Sequence, residues 1–167
     1  MTKRAWKTRK KQKRSKSRYA ALLALVAAVP LLIIALNNQP SDDAGNGLVA
    51  EIFYSPFCDC CTGYVKYLRG NDVRVKAYEV NDSGKVKLEL GIPRSMWACH
   101  TLKIGGYYVE GHVPIEVVYK LLEEKPDIDG IALPGMPAGS PGMGGVKTEP
   151  FIIYAVSDGS VSVFAEV

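Results

Sequence analysis

The stretch that decides the fold is LVAEIFYSPFCDCCTGYVKYLRG, residues 48–70, an apolar run followed by a cysteine-rich turn and a helical pattern. Residues 48–54, which are apolar except for Glu51, predict a buried strand, and Pro56 ends it. Four later side chains recur at the spacing of one helix face: Cys61, Tyr64, Val65 and Leu68. The stretch therefore predicts a strand, a turn and a helix, with three cysteines at the start of the helix.

Further strands and helices follow this unit. Residues 73–80 alternate in polarity and predict a half-buried strand, and residues 85–90 predict a short helix. Residues 95–104 and 107–110 predict a hairpin that turns at Gly105 and Gly106. Pro114 suits the first turn of a helix, whose apolar stripe would be Ile115, Val118, Tyr119 and Leu122. A Gly/Pro-rich loop over residues 130–145 and a hairpin over residues 151–165 end the chain.

All the thiols of the protein lie in two places. Cys58, Cys60 and Cys61 share the turn, and Cys99 lies beside His100, one of only two histidines. The amide groups at a helix N-terminus favour anions, which lowers the pKa of thiols there. Thiolates are both nucleophiles and metal ligands. Three interpretations are therefore open: a soft-metal site, a thiol–disulfide redox site, and structural disulfides.

The residue types favour a metal site. Thiolate, imidazole and thioether form a soft ligand set that suits Cu(I). Cys58 and Cys60 are too close in sequence for an easy disulfide, and the adjacent Cys60 and Cys61 are worse. Zinc is the competing ion, because three cysteines with a fourth Cys or His can form its tetrahedral site. The chain lacks the paired two-plus-two ligand spacing of common zinc modules, so zinc is the weaker candidate.

Three further residues are candidate ligands, each with an ordinary structural alternative. His100 would face away from a site that Cys99 faces, if both lay in a regular strand, unless the backbone is distorted there. His112 precedes a proline that starts a helix, and it could ligate metal or only form a hydrogen bond. Met136 lies in the Gly/Pro-rich loop, as does Met143. These methionines could clasp a metal ion or cover the core.

Disulfide chemistry is the alternative function. Cys58 would act as the nucleophile and Cys61 as the resolving thiol of a C-x-x-C pair. In that mechanism Cys60 would interfere and Cys99 would be redundant. Metal binding is therefore favoured over catalysis, although a copper site with exposed thiolates could also cycle between Cu(I) and Cu(II).

The order of the elements resembles the thioredoxin-like fold. Proteins of that fold keep a C-x-x-C pair at the same strand-to-helix turn and a cis-proline near the position of Ile92 and Pro93. The resemblance implies an α/β fold with a thioredoxin-like central mixed sheet flanked by helices. The final hairpin would then be a C-terminal extension of that sheet.

A longer set of motifs is more specific. C-x-C-C at residues 58–61, G-I-P at 91–93, A-C-H-T at 98–101, V-E-G-H-V-P at 109–114 and L-P-G-M-P-A-G-S-P-G-M at 133–143 resemble one family. It consists of small exported bacterial and archaeal metal-binding proteins, of which the CopG-type copper resistance proteins are the best known. The resemblance covers about residues 48–167. It implies copper bound by Cys58, Cys60, Cys61 and Cys99, with a multinuclear, thiolate-bridged cluster as one form of the site.

The N-terminal residues predict a membrane anchor. Residues 1–18 hold ten Lys or Arg and no acid, and residues 19–36 carry no charge. An uncharged span of this length can cross a bilayer as a helix, and Lys/Arg on its N-terminal side predicts that this end is cytoplasmic. A cleaved signal peptide is the alternative. Residues 37–47 predict a flexible linker, and residues 48–167 the metal-binding domain.

The sequence therefore predicts an exported, single-pass protein of the cell membrane that binds copper for homeostasis or resistance. A thioredoxin-like thiol–disulfide oxidoreductase is the alternative. The predicted partners are a metal ion, the membrane, and a copper chaperone or exporter. The basic tail alone could bind nucleic acid, but the apolar span that follows it argues against a nucleic-acid partner.

Overall fold

The structure is a computed structural model that describes residues 47–167. This part of the chain is a mixed α/β unit with seven strands and three α-helices. The strands are β1 (Val49–Tyr54), β2 (Arg74–Glu79), β3 (His100–Ile104), β4 (Tyr107–Glu110), β5 (Gly130–Ala132), β6 (Ile152–Ser157) and β7 (Ser160–Glu166). The helices are α1 (Asp59–Gly70), α2 (Ser83–Glu89) and α3 (Ile115–Glu124), with a 3-10 turn at Arg94–Met96.

The strands form one sheet in the order β2-β1-β3-β4-β5-β6-β7. β1 pairs with β2 in parallel, and α1 is the helix that connects these two strands. β3 then pairs antiparallel with both β1 and β4. β5 runs parallel to β4, and β6 and β7 add the C-terminal hairpin. The predicted central mixed sheet and hairpin extension are therefore present.

The two faces of the sheet are covered separately. The larger core lies between the sheet and helices α1 and α3, and it includes Tyr64, Leu68 and Leu121. The smaller core lies on the other face, where Ile92 and Met96 pack against Tyr108. Because side chains alternate along a strand, Val109 and Tyr108 belong to opposite cores. This alternation decides which side chains of β3 and β4 can reach the cysteine turn.

The structure corrects several predicted elements. The first strand of the hairpin begins at His100 rather than at residue 95, because Arg94–Met96 form a 3-10 turn. The predicted half-buried strand β2 is mostly exposed, since it is an edge strand. The buried face of α3 contains Val117 and Leu121 in place of Tyr119 and Leu122. The strand β5 lies where only a loop was predicted.

Two further predictions concern the peptide backbone and the N-terminus. The bond between Ile92 and Pro93 is trans, as are the other peptide bonds of residues 47–167, so the expected cis-proline is absent there. None of the helices in this range is long and apolar enough to span a bilayer. The predicted tail, anchor and all but the last residue of the linker, residues 1–46, lie outside the described residues.

Candidate metal centre

The cysteine turn is built by the start of α1. Cys58 is the N-cap residue of the helix, and its amide donates to the carbonyl oxygen of Ser55 at 3.0 Å. The amide of Cys61 donates in turn to the carbonyl oxygen of Cys58 at 3.1 Å. Cys61 is fully buried among the apolar side chains of α1, whereas Cys58 and Cys60 are half-buried. The turn therefore presents two sulfurs towards its surroundings and one towards the core.

β3 brings the fourth cysteine to this turn. Antiparallel pairing places His100 opposite Tyr54 at the end of β1, so the preceding Cys99 lies beside the cysteine turn. The Sγ atoms of Cys60 and Cys99 are 3.9 Å apart. The Sγ atoms of Cys58 and Cys60 are 3.4 Å apart. All four sulfurs, the set that the family resemblance implies, lie within 4.8 Å of one another.

Two of the four sulfurs are joined in the structure. Cys58 and Cys61 form a disulfide, whereas Cys60 and Cys99 are free thiols. This is the pairing that the redox interpretation requires of a C-x-x-C motif. Binding of one ion by all four cysteines would first require reduction of this bond.

His112 has the geometry of a metal ligand. Its Nδ1 lies 2.7 Å from the carbonyl oxygen of Pro141, and a carbonyl can only accept, so Nδ1 carries the proton. The other ring nitrogen, Nε2, then has a free lone pair and lies 3.1 Å from Cys99 Sγ. Ligating histidines usually donate their second N–H to a carbonyl or carboxylate in this way. The ring is therefore held with its lone pair facing the sulfurs.

His100 also reaches the site, contrary to the expected alternation. Its Nδ1 is 3.3 Å from Cys99 Sγ, because Cys99 precedes the first residue of β3 and does not follow strand geometry. The ring packs against Tyr64 at 4.7 Å and His112 at 4.8 Å between centroids. Its Nε2 is buried and has no hydrogen-bond partner in the described part of the chain. Cys99 Sγ therefore lies close to a nitrogen of each of the two imidazole rings as well as to the sulfur of Cys60.

Burial governs the protonation of the site without metal. Burial and the neighbouring Cys60 raise the pKa of Cys99 to about 12. Burial and the neighbouring His112 lower the pKa of His100 well below its usual value. Burial also lowers the pKa of His112, opposed by its bond to Pro141. The metal-free site at neutral pH is consequently a neutral thiol among neutral imidazoles, and a cation that bound Cys99 as thiolate would displace a proton.

The Gly/Pro-rich loop packs directly on α1. A Cβ atom at Gly63 would lie 2.3 Å from the carbonyl oxygen of Gly142, so only glycine permits this approach. The loop also supplies the Pro141 carbonyl oxygen that orients His112. No pattern in the sequence indicates this contact. Met136 is 43% exposed and Met143 is half-buried. Ligation by Met136 stays a prediction.

The donor atoms fit a soft metal ion. Two sulfurs that share an ion, each about 2.3 Å from it, can be at most about 4.6 Å apart. Cys60 meets this limit both with Cys58 and with Cys99. Cys99 belongs to two groups of potential ligands, one with the other cysteines and one with His100 and His112. Cys99 Sγ is therefore within reach of a metal ion held by either group.

The fold and the site together define a mixed α/β protein with a mixed thiol and imidazole donor cluster at the end of β1. Two solved structures of copper resistance protein CopG, Form 2 and Form 1, match the chain at 39% identity. Form 2 aligns with a TM-score of 0.68 over 73% of this chain and 99% of its own. Form 1 aligns with a TM-score of 0.67 over 73% of this chain and 98% of its own. The chain belongs to the family of the copper resistance protein CopG.

The family model described as "Protein of unknown function, DUF411" matches residues 96–143. This range contains Cys99, His100 and His112 together with most of the Gly/Pro-rich loop, but not the cysteine turn. None of the curated proteins compared with the chain matches it.

Proposed function

We propose that the protein binds copper as Cu(I) through Cys58, Cys60, Cys61 and Cys99, with His112 as a nitrogen ligand. The observation that supports this most is the position of Cys99 Sγ, which faces both the cysteine turn and the two histidines. The sulfur-rich donor set favours Cu(I) over harder ions. The name of the CopG relatives, copper resistance protein, agrees with this assignment. Several copper ions share the sulfurs in a multinuclear site.

The test is a metal titration of the reduced protein. Copper and zinc per chain are measured with a thiol count on the same anaerobic sample. We expect more than one Cu(I) per chain, held against excess zinc and against a Cu(I) chelator. Stoichiometric zinc binding, with all copper lost to the chelator, would reverse the assignment.

The Cys58–Cys61 disulfide supports a second function, electron transfer between thiols and copper. In one turnover the two thiolates reduce two Cu(II) to two Cu(I) and become the disulfide, so that two electrons move and charge balances. Cys60 and Cys99 then retain the Cu(I) product. Mixing reduced protein with Cu(II) should remove two Cu(II) signals per disulfide formed. Disulfide exchange with a protein substrate in the absence of copper would favour an ordinary oxidoreductase instead.

The strand order β2-β1-β3-β4, with its parallel and antiparallel pairs, supports assignment of this core to the thioredoxin-like fold. For the N-terminal residues we propose a single-pass anchor at residues 19–36, with the metal site on the extracytoplasmic side. A protein that holds Cu(I) there would exchange it with a copper chaperone or an exporter.

A further inference from the structure

Lys87 and Glu110 form a buried ion pair on the sheet face opposite to the metal donors, where it contacts residues 98–101. Lys87 of α2 and Glu110 of β4 are 2% and 0% exposed, and Lys87 Nζ contacts Glu110 Oε1. Glu110 alternates with Val109, which packs in the larger core with α1 and α3. Apolar residues often replace such a pair at no cost in stability, so packing alone does not require these charges.

The Glu110 carboxylate accepts hydrogen bonds from the residues on both sides of Cys99 and His100. The amide of Ala98 donates to Oε1 at 2.7 Å, and the hydroxyl of Thr101 donates to Oε2 at 2.6 Å. The Glu110 side chain thus holds both Ala98, which precedes Cys99, and Thr101, which follows His100. The carbonyl oxygen of His100 is also held, because it accepts from the amide of Gly111 at 3.1 Å.

Lys87 completes this arrangement from the helix. Its Nζ donates to Thr101 Oγ1 at 3.0 Å as well as to Glu110. Thr101 therefore accepts from Lys87 and donates to Glu110, which fixes the direction of its hydroxyl. Burial raises the pKa of the Glu110 carboxyl, but Lys87 and the two hydrogen bonds oppose that shift and favour the carboxylate.

We propose that the Lys87–Glu110 pair is a positioning device for the metal site, which fixes the backbone of residues 98–101 and so places Cys99 Sγ for copper without touching the metal. Metal–sulfur bond lengths vary little, so the ligand atoms must be placed accurately. A small displacement of the backbone of residues 98–101 would move Cys99 Sγ away from Cys60 and His112 and weaken copper binding. The inference rests on the proposed copper binding. It explains the acidic residue in V-E-G-H and the threonine in A-C-H-T.

The test compares Cu(I) affinity by chelator competition on the reduced full-length protein in detergent. The main variant is the double substitution Lys87→Met with Glu110→Leu. It removes both charges together, so that neither is left unpaired, and it also removes the acceptors for the Ala98 amide and the Thr101 hydroxyl. We expect Cu(I) affinity to fall by about 10–100-fold, the usual cost of losing support behind a ligand. The ultraviolet copper–thiolate band should also shift.

Leu121→Ala is the control for destabilisation alone, because Leu121 is fully buried in α3 and not in the donor cluster. It should lower the melting temperature and leave Cu(I) affinity and the copper–thiolate band unchanged. A folded double variant with wild-type affinity and spectrum would overturn the proposal. If the double variant does not fold, Thr101→Val decides: weaker copper binding supports the proposal and unchanged binding overturns it. Failure of the wild type to bind copper would instead refute the proposed function.

Discussion

Cys60 Sγ lies 3.9 Å from Cys99 Sγ, although 39 residues separate the two cysteines. Cys60 belongs to the first turn of α1, and Cys99 directly precedes β3. A metal ion that binds both sulfurs would tie the helix to the centre of the sheet. A ligand that binds only the folded state stabilises it by an amount that rises with the logarithm of its concentration relative to its dissociation constant. The contact therefore couples copper binding to the stability of the fold.

This coupling predicts that copper raises the melting temperature of the reduced protein. At free copper about 100 times the dissociation constant, the stabilisation should be about 2.7 kcal/mol. Cys99→Ser should reduce the shift, because the variant loses the sulfur that connects β3 to α1. Equal shifts in the wild type and the variant, measured by circular dichroism, would show that copper does not join the two segments.

The histidines should contribute unequally to copper binding. The bond from His112 Nδ1 to Pro141 leaves the Nε2 lone pair facing Cys99, whereas His100 Nε2 has no hydrogen-bond partner among residues 47–167. His112→Ala should therefore weaken Cu(I) binding by at least about tenfold. His100→Ala should have a smaller effect. Chelator competition on both variants measures this, and the reverse ranking would contradict the assignment of His112 as the nitrogen ligand.

The contact between α1 and the loop predicts opposite effects for two similar substitutions. Gly63→Ala places a Cβ 2.3 Å from Gly142 O and should destabilise the protein by about 1–3 kcal/mol. It should also weaken copper binding, since the same loop carries Pro141. Gly70→Ala at the end of the same helix meets no atom within 4 Å and should be neutral or slightly stabilising. Urea unfolding of the two variants measures the difference, and equal effects would contradict the tight approach.

Acid should destabilise the metal-free protein through His100. Burial, His112 and Lys87 lower its pKa well below 6.5, so the unfolded chain takes up a proton near that pH before the folded protein does. The contribution of neutral His100 to the unfolding free energy is present above pH 6.5 and is lost as the pH falls below 6.5. Between pH 7.5 and 5.5, the unfolding free energy of the wild type should therefore fall more than that of His100→Asn. Parallel losses would mean that His100 titrates normally.

The proposed topology is tested on intact cells. A membrane-impermeant thiol reagent should label Cys60 after copper has been removed, because residues 1–18 are expected to stay in the cytoplasm. Lysed cells provide the control for total reactive thiol. Labelling that appears only after lysis would place the site on the cytoplasmic side.

Local patterns were enough to predict α1 and the two C-terminal strands, whereas the grouping of Cys99 with the cysteine turn came from the family resemblance. The buried set Cys61, Tyr64, Val65 and Leu68 has a helical period, so eight residues of sequence reveal it. The three-residue strand β5 is too short to show a period, and its pairing with β4 comes from the tertiary fold.

The remaining features depend on contacts that no local pattern contains. Lys87 appears in sequence as an ordinary charge on a short helix, but its partner Glu110 is 23 residues away. The position of His100 depends on where β3 begins, which alternation cannot reveal. The orientation of His112 depends on the Pro141 carbonyl, 29 residues further along the chain.

The most direct test of the shared site is a double-mutant cycle on copper binding. Cu(I) per chain and Cu(I) affinity are measured for the reduced wild type, Cys61→Ser, Cys99→Ser and the double variant. Ligands of one site act as a unit, so each single variant should lose copper and the double variant should lose less than the sum of the two. Unchanged stoichiometry and affinity in Cys99→Ser would show that the turn acts alone and that the four-cysteine site is wrong.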